Sequence, residues 1–509
     1  MMLLFKMDLY SFVSTKDLKL LHNTIAIHNV LMILILCFSI SICETQELTF
    51  EKAIDMALQN NDKVLQYKEK LVQKKYEKRS ARGNLLPSVS LSAGYTHLDD
   101  PLTIDLEPIR QAMISLQSRN QVSLASMASQ IKGGPAIDNP STPTYQAIYQ
   151  KAYSAFDQAL PNFIDTLKEQ NYPSAVITAV QPLFTGGKIR AGIRAAEIEK
   201  MTTSYELKKI EQDVVMETAD YYLACVLMRD IIRVRQDVLS AMEIHRERAE
   251  KLYAQGIIAK YHLLRAEVAV SEANRNLYFD QNRYEVAKIA LRKCINSETD
   301  FSDPVDSLVY HPIEDTLDEF LITPEKGQPV ISIIKCKKDL ANQKVAVQKS
   351  AFLPNVAAFG KFEIFSDYLS ALEPQWAAGV MLNLTIFNGF KNINNLQSSK
   401  HLINELEKLE SGIKDDIRLW INKAYRDMRS NEKQFLLLES DIKLADENLR
   451  QCKSRFENGY GTSLEVIDAQ LVLEKNRIDR LVTLHDYYRS YIDLSTATGT
   501  QEQITRIFR

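Results

Sequence analysis

The stretch NLLPSVSLSAGYTH, Asn84 to His97, alternates apolar and polar residues once past its Leu-Leu-Pro, and AFLPNVAAFGKF, Ala351 to Phe362, repeats the device much later. Val89, Leu91, Ala93 and Tyr95 fall on one face and Ser88, Ser90, Ser92 and Gly94 on the other, which is the period of a strand with one apolar side. The run ending before Asn388 alternates in the same way. There Trp376, Ala378, Val380, Leu382, Leu384 and Ile386 stand against Ala377, Gly379, Met381, Asn383 and Thr385. In the strand after Pro354, Val356, Ala358, Phe362 and Ile364 oppose Asn355, Lys361 and Glu363, while the strand near Ser174 to Leu183 alternates weakly. Apolar outward and polar inward is the pattern of a barrel wall between lipid and water. Four strands cannot close a barrel, because the smallest single-chain bacterial examples need about eight. The wall must be shared between chains, and spacing alone does not choose between two copies and three.

The rest of the chain is also written twice. QPLFTGGKIRAG (Gln181 to Gly192) resembles NLTIFNGFKNIN (Asn383 to Asn394), pairing Phe184 with Phe387 and Gly186 with Gly389 at an offset of 203 residues. KLYAQGIIAKYHLLRAE (Lys251 to Glu267) resembles SRFENGYGTSLEVIDAQ (Ser454 to Gln470) and pairs Gly256 with Gly459 at the same offset. The interval between the two landmarks therefore has one length in both copies. It carries helical periodicity, as in Leu402, Leu406, Leu409, Ile413, Ile417, Trp420 and Ala424 at spacings of three and four. Gly256 and Gly459 are the glycine-bearing breaks before the pattern resumes, so each copy predicts a long antiparallel helical hairpin. Returning helices are expected from about Tyr261 to Lys293 and from about Ser463 to Thr498, and leading helices over Thr49 to Arg82 and Pro329 to Lys349. The first strand pair alone carries an insertion of 64 residues, with GGPAIDNPSTP between helix-like stretches at Ile109 to Ser129 and Tyr145 to Glu169.

Composition limits what such a chain does. Its 509 residues are 45% hydrophobic and 25% charged, the balance of a folded protein, and a net charge of -3 without a basic block gives no phosphate-tracking surface for nucleic acid. Val30 to Ile42 is a run of 13 apolar or small residues, shorter than the roughly 18 that a spanning helix requires. With Lys16 and Lys19 upstream and small Ser41 and Cys43 at its end, it reads as a signal peptide cleaved before Glu44. A lipidated Cys43 is the alternative, disfavoured by the bulk of Ile42. Cys225, Cys294, Cys336 and Cys452 lie far apart without metal-ligand spacing and read as free packing thiols; neither a cofactor nor a metal is expected. There is no Ser-His-Asp order, phosphate-cradling glycine loop or His/Cys cluster, so an enzyme is not expected.

Taken together, LTFEKAIDMALQNN at Leu48, the Leu-Pro strand starts at Pro87 and Pro354, the junctions PLFTGGK and TIFNGFK, and LLRAE and VIDAQ after the two glycine turns resemble the TolC-like outer-membrane efflux protein family, the outer membrane factors, from Leu48 to Gly499. The resemblance implies a mainly α fold with membrane β structure. Each chain would hold two repeats, and a homotrimer would form a twelve-stranded outer-membrane barrel continued by a periplasmic α-helical barrel. It implies passive export through a channel-tunnel of a tripartite efflux or type I secretion system. The implied partners are a periplasmic adaptor (membrane fusion protein), an inner-membrane RND, ABC or MFS pump, and outer-membrane lipid. On this reading 1–43 is the signal peptide, 44–83 the N-terminal equatorial helices and 84–186 the first strand pair with an extracellular insertion at about 100–170. Segments 187–295 and 389–499 are the long hairpins, 296–350 the linker and equatorial helix, 351–388 the second strand pair, and 500–509 the tail.

The family's entrance is narrowed by acids just after the second glycine turn, and the positions that match are Glu465 and Asp468, three apart and so on one helix face. Three copies would converge six carboxylates, a ring that attracts cations. Acids are favourable on a helix's first turn in any case. The family's basic latch position is Gly461, its acidic position after the first turn is His262, and its aromatic latch position is Phe456, without a hydroxyl. A salt-bridge lock does not carry over, so closure is expected to rest on packing around Phe456 and on the acidic ring. The hairpin tips, with Gly256, Ile257, Gly459, Tyr460 and Gly461, match the adaptor-docking ends, and Pro87, Pro354, Phe184, Gly186, Phe387 and Gly389 the strand-helix junctions. The rival reading is an exported coiled-coil stalk, which has no need of strand pairs with Trp376 and Tyr95 on lipid-like faces.

Overall fold

The computed structural model describes residues 48–296, 303–322, 327–370, 373–500 and 504. The expected signal peptide, with Cys43, and nearly all of the tail lie outside them. The chain divides into two units, one made of residues 75–198 and 339–404, the other of the remainder.

The first unit holds a four-stranded antiparallel sheet built from β1 (Ser88–His97), β4 (Asn171–Phe184), β5 (Asn355–Glu363) and β6 (Trp376–Asn383), in the order β1-β4-β5-β6. The two strand pairs, distant in sequence, are zipped together by the β4–β5 ladder. Register places Leu91 opposite Ile177, Ile177 opposite Phe362, and Phe362 opposite Trp376. Partners across a ladder share a face, so these four form one apolar row, and all of them are exposed. Ser90, Thr178, Lys361 and Ala377 make a row of the other face. The weak alternation of β4 has its reason here. Val176 and Val180 lie on the polar face, while Gln181 lies on the apolar one and donates to the Leu85 carbonyl at 2.9 Å. β6 ends at Asn383, short of the expected Ile386.

The insertion adds secondary structure that the sequence pattern did not predict. β2 (Leu102–Asp105) and β3 (Ile164–Lys168) pair as a second small sheet, so the described residues hold six strands rather than four. Between them stand α3 (Glu107–Ile131) and α4 (Pro143–Ala159). The expected helix to Glu169 therefore stops at Ala159, because Leu160 precedes Pro161 and takes the extended conformation that proline imposes on its predecessor.

Strand-helix junctions are close-packed. Gly186 has φ +60°, and a Cβ there would sit 2.9 Å from both the Leu353 Cβ and the Ser350 carbonyl oxygen, so only glycine fits. Phe184 and Phe387 are exposed, Gly389 repeats the positive φ at +65°, and Pro87 and Pro354 each stand just before a strand.

In the second unit the repeats are equal in length. α5 (Lys188–Ala254) and α9 (Lys391–Glu457) have 67 residues each, and α6 (Lys260–Ile295) and α10 (Ser463–Thr498) have 36 each. At 1.5 Å per residue these are rods of about 100 Å and 54 Å. α5 and α9 begin in the sheet-bearing unit and contribute their later residues here. The leading helix expected over Thr49 to Arg82 is two, α1 (Phe50–Asn60) and α2 (Asp62–Gly83). Asn61 breaks it, donating to the Cys294 carbonyl at 2.8 Å and accepting from the Lys63 amide. α7 (Leu317–Ile322) and the start of α8 (Pro329–Ser350) complete the unit.

The extended segment from Pro304 to Ile313 packs on the hairpins, and tyrosines satisfy its backbone. Tyr487 donates to the His311 carbonyl at 3.1 Å and accepts from the Ile313 amide, Tyr488 accepts from the His311 amide, and Tyr222 reaches both Asp306 and the Leu48 carbonyl. Tyr222, Tyr487 and Tyr488 are all but completely buried, and a buried backbone polar group must find such a partner. No helix among the described residues is long and apolar enough to cross a membrane, which says nothing of strands.

Candidate functional site

Both hairpin tips are built by the same hydrogen-bond motif. The Gly256 amide bonds the Tyr253 carbonyl and the Ile257 amide the Leu252 carbonyl, both at 2.9 Å. At the second tip the Gly459 amide bonds Phe456 at 3.1 Å and the Tyr460 amide bonds Arg455 at 2.9 Å. This is the glycine-terminated helix end in which the residue after the cap is left-handed, and φ is +74° at Gly256 and +75° at Gly459. A Cβ on Gly459 would lie 3.6 Å from the Ile257 side chain, so the two tips touch. Gly459→Val should cost about 1–3 kcal/mol locally, since a β-branched residue at positive φ is strained. Limited proteolysis should then cut within 456–462 faster than in the parent, with Gly459→Ala intermediate.

Thr462 caps α10, its hydroxyl accepting from the Glu465 amide at 3.3 Å. Thr-x-x-Glu is the order of a capping box, which gives Glu465 a place whatever else it does. The Glu465 carboxylate lies 3.9 Å from Arg455, with one oxygen lacking a hydrogen-bond partner. Asp468 is exposed one turn on. Gly461 packs closely on Arg455 and Phe456, and Ile257 and Tyr460 are exposed at the ends of the tips. His262, on the first turn of α6, is half-buried with its ring 3.9 Å from that of Tyr261.

Phe456 lies apart from half-buried Glu465 and exposed Asp468, in the tip core. It is 1% exposed, packed with Ala249, Leu252, Ala445, Leu449, Val466 and Leu473. Its ring sits 4.8 Å from that of His245, whose Nε2 is 2.7 Å from the Ser463 hydroxyl. Burial, with Lys453 nearby, pulls the His245 imidazole down to about 4, so it is neutral at pH 7. His245 thus ties α5 to the first residue of the helix that carries Glu465 and Asp468.

Further along the same helices, Arg235 bonds Asp280 at 2.8 Å and also pairs with Glu474. Both acids are nearly buried and belong to α6 and α10, so one guanidinium bridges three helices. Buried carboxylates require such pairing, and removing one partner of a buried pair typically costs about 3–5 kcal/mol. Sequence reading passed over His245 and Arg235, although a signal exists. Arg235, Val238, Met242, His245, Ala249 and Leu252 follow one another at three and four residues, which puts both polar side chains on the inward stripe. The junction residues Pro87, Pro354, Phe184, Gly186, Phe387 and Gly389 belong to the sheet-bearing unit. The four described cysteines are free, three of them buried, and no cluster of metal-ligating side chains occurs among the described residues.

The doubled architecture is shared with known proteins. The outer membrane efflux protein BepC of Brucella suis is 21% identical over 322 residues, covering 63% of this chain and 70% of that one. Among solved structures, the outer membrane protein VceC of Vibrio cholerae superposes with a TM-score of 0.65 at 15% identity, over 88% of this chain and 96% of that one. The CmeC outer membrane channel of Campylobacter jejuni gives 0.65 at 15% over 90% of each. Residues 134–297 and 329–500 match the family described as outer membrane efflux protein, one span in each repeat, and the chain belongs to that family.

Proposed function

We propose that three copies of this chain form a channel-tunnel of the outer membrane, a twelve-stranded barrel continued into the periplasm by the long hairpins. The observation that carries this reading is the sheet. Its edge strands β1 and β6 each pair on one side only, and the row Leu91, Ile177, Phe362, Trp376 is apolar and exposed. In lipid an unpaired strand edge costs several kcal/mol per orphaned group, so the edges must be sealed by neighbours. A water-exposed stalk gives no reason for that row. Purified chain should be a detergent-dependent trimer by light scattering that conducts ions in planar bilayers; a water-soluble monomer without conductance would refute the reading.

In this assembly the hairpin tips form the periplasmic entrance, where Gly256, Ile257, Gly459, Tyr460 and Gly461 meet the adaptor and a pump of the RND, ABC or MFS class hands over cargo. Glu465 and Asp468 would line the constriction, with Phe456 holding its frame and His262 beside it. Replacing both acids with alanine removes six carboxylates from the narrow aqueous path. The cation-to-anion permeability ratio should fall several-fold toward one in single-channel recordings. An unchanged ratio assigns these acids to helix capping alone.

A further inference from the structure

The insertion in the first strand pair presents a face that none of the described residues covers. In α3, Arg110, Ile114, Ser118, Val122 and Ser126 are buried, and that side packs on α4. Arg110 clamps the pair, bonding the Leu160 carbonyl at 3.2 Å and the Asp157 carboxylate at 2.8 Å. On the opposite side Ile109, Met113, Leu116, Leu124, Met127 and Ile131 are exposed, from 45% to 87%. With Asn120 between them, these residues step by four, three, four, four, three and four, and at 100° per residue they span only about 80° of the helix. This is the stripe of a helix that packs in a coiled coil, with one polar residue in its middle.

Charge points the same way. α3 has 25 residues, yet its charged side chains are Glu107, Arg110 and Arg119, and the first two are paired with each other. A helix facing water on that side would be expected to carry more. Its place in the topology indicates what covers the stripe. The insertion leaves the sheet from β1 and returns to β4, at the strand ends remote from Pro87 and Phe184, and β1 is an edge strand. A neighbouring copy that seals that edge brings a second copy of the insertion to the same end of the sheet.

We infer that the α3 helices of three copies pack against one another through this stripe, with Asn120 setting their register, and form a helical cap at the outer end of the barrel. This rests on the trimeric reading above. Identical copies around one axis present identical stripes to each other, so the surface is self-complementary.

The test places one cysteine on the stripe. Leu116→Cys is made with Cys452→Ala, since Cys452 is the one described thiol that is not buried, and the detergent-purified protein is treated with a three-armed maleimide. Most of the protein should shift to a three-chain band, with Met127→Cys behaving alike. Arg119→Cys, exposed but off the stripe, should stay single-chain. A light-scattering trimer in which neither stripe cysteine links overturns the inference and spares the channel. In that case modification by a polyethylene-glycol maleimide would mean an open face, and protection would mean another occupant. A monomer overturns both readings.

Discussion

Replacing Leu91 with arginine should remove the folded, heat-modifiable form of the protein from the outer membrane. Leu91 is 65% exposed in the middle of β1, opposite Ile177, in the row that runs on through Phe362 to Trp376. An arginine facing lipid near mid-depth costs about 2–4 kcal/mol, and in the proposed trimer one copy in each chain multiplies this to roughly 6–12 kcal/mol per barrel. Such a loss is comparable to the whole stability of a domain. Ser92→Arg supplies the contrast, one residue away with the side chain on the other face. Its cross-strand row passes through Val176 to Glu363 on the polar face, so the new charge turns away from lipid. Unboiled gels of membrane fractions should show the trimer band for Ser92→Arg and not for Leu91→Arg. Equal bands would mean that the exposed row does not face lipid.

Which parts of this architecture are readable in the sequence follows from how far each signal extends. A period of two in β1 and β6 and a period of 3.6 over a 67-residue helix are integrated over many residues, and the constant offset of 203 cross-checks them. β2 and β3 have four and five residues and no face buried by a core, so no alternation marks them. The end of α4 was marked, by Pro161, which the helix-like stretch expected to Glu169 ran past. The acids of the candidate entrance, Glu465 and Asp468, were singled out through the family resemblance, which marks the positions just after the second glycine turn. His245 was not, because its significance lies in Ser463, 218 residues away in the chain. Phe456 shows the limit of matching by position. Alignment with a latch says where the residue sits, while burial by Leu252, Leu449 and Leu473 depends on which face of α9 meets the neighbouring helices.

Phe456→Ala should loosen the tips more than any substitution of a charged residue there. A fully buried phenylalanine reduced to alanine costs about 3–5 kcal/mol, the spread reflecting how far the site collapses. Collapse is restricted here because the ring sits near His245, itself fixed to Ser463, within a cluster that joins four helices. The cavity would release the first turn of α10, so Glu465 and Asp468 would no longer be held in one geometry. Faster proteolysis at 456–462 and noisier, larger single-channel currents are expected, with Phe456→Leu close to the parent. The neighbouring histidine adds a signature that a simple packing defect lacks. Its folded pKa of about 4 lies below the ordinary 6.5, so the fold favours the neutral ring. The stabilisation is fully present above pH 6.5 and is lost as pH falls through that window toward 4, in total roughly 3 kcal/mol. Protease protection of the tips should decline across those pH values in the parent. In His245→Gln, which can still hydrogen-bond Ser463 but does not titrate, the decline should be absent, and its persistence would place the sensitive group elsewhere in the tip.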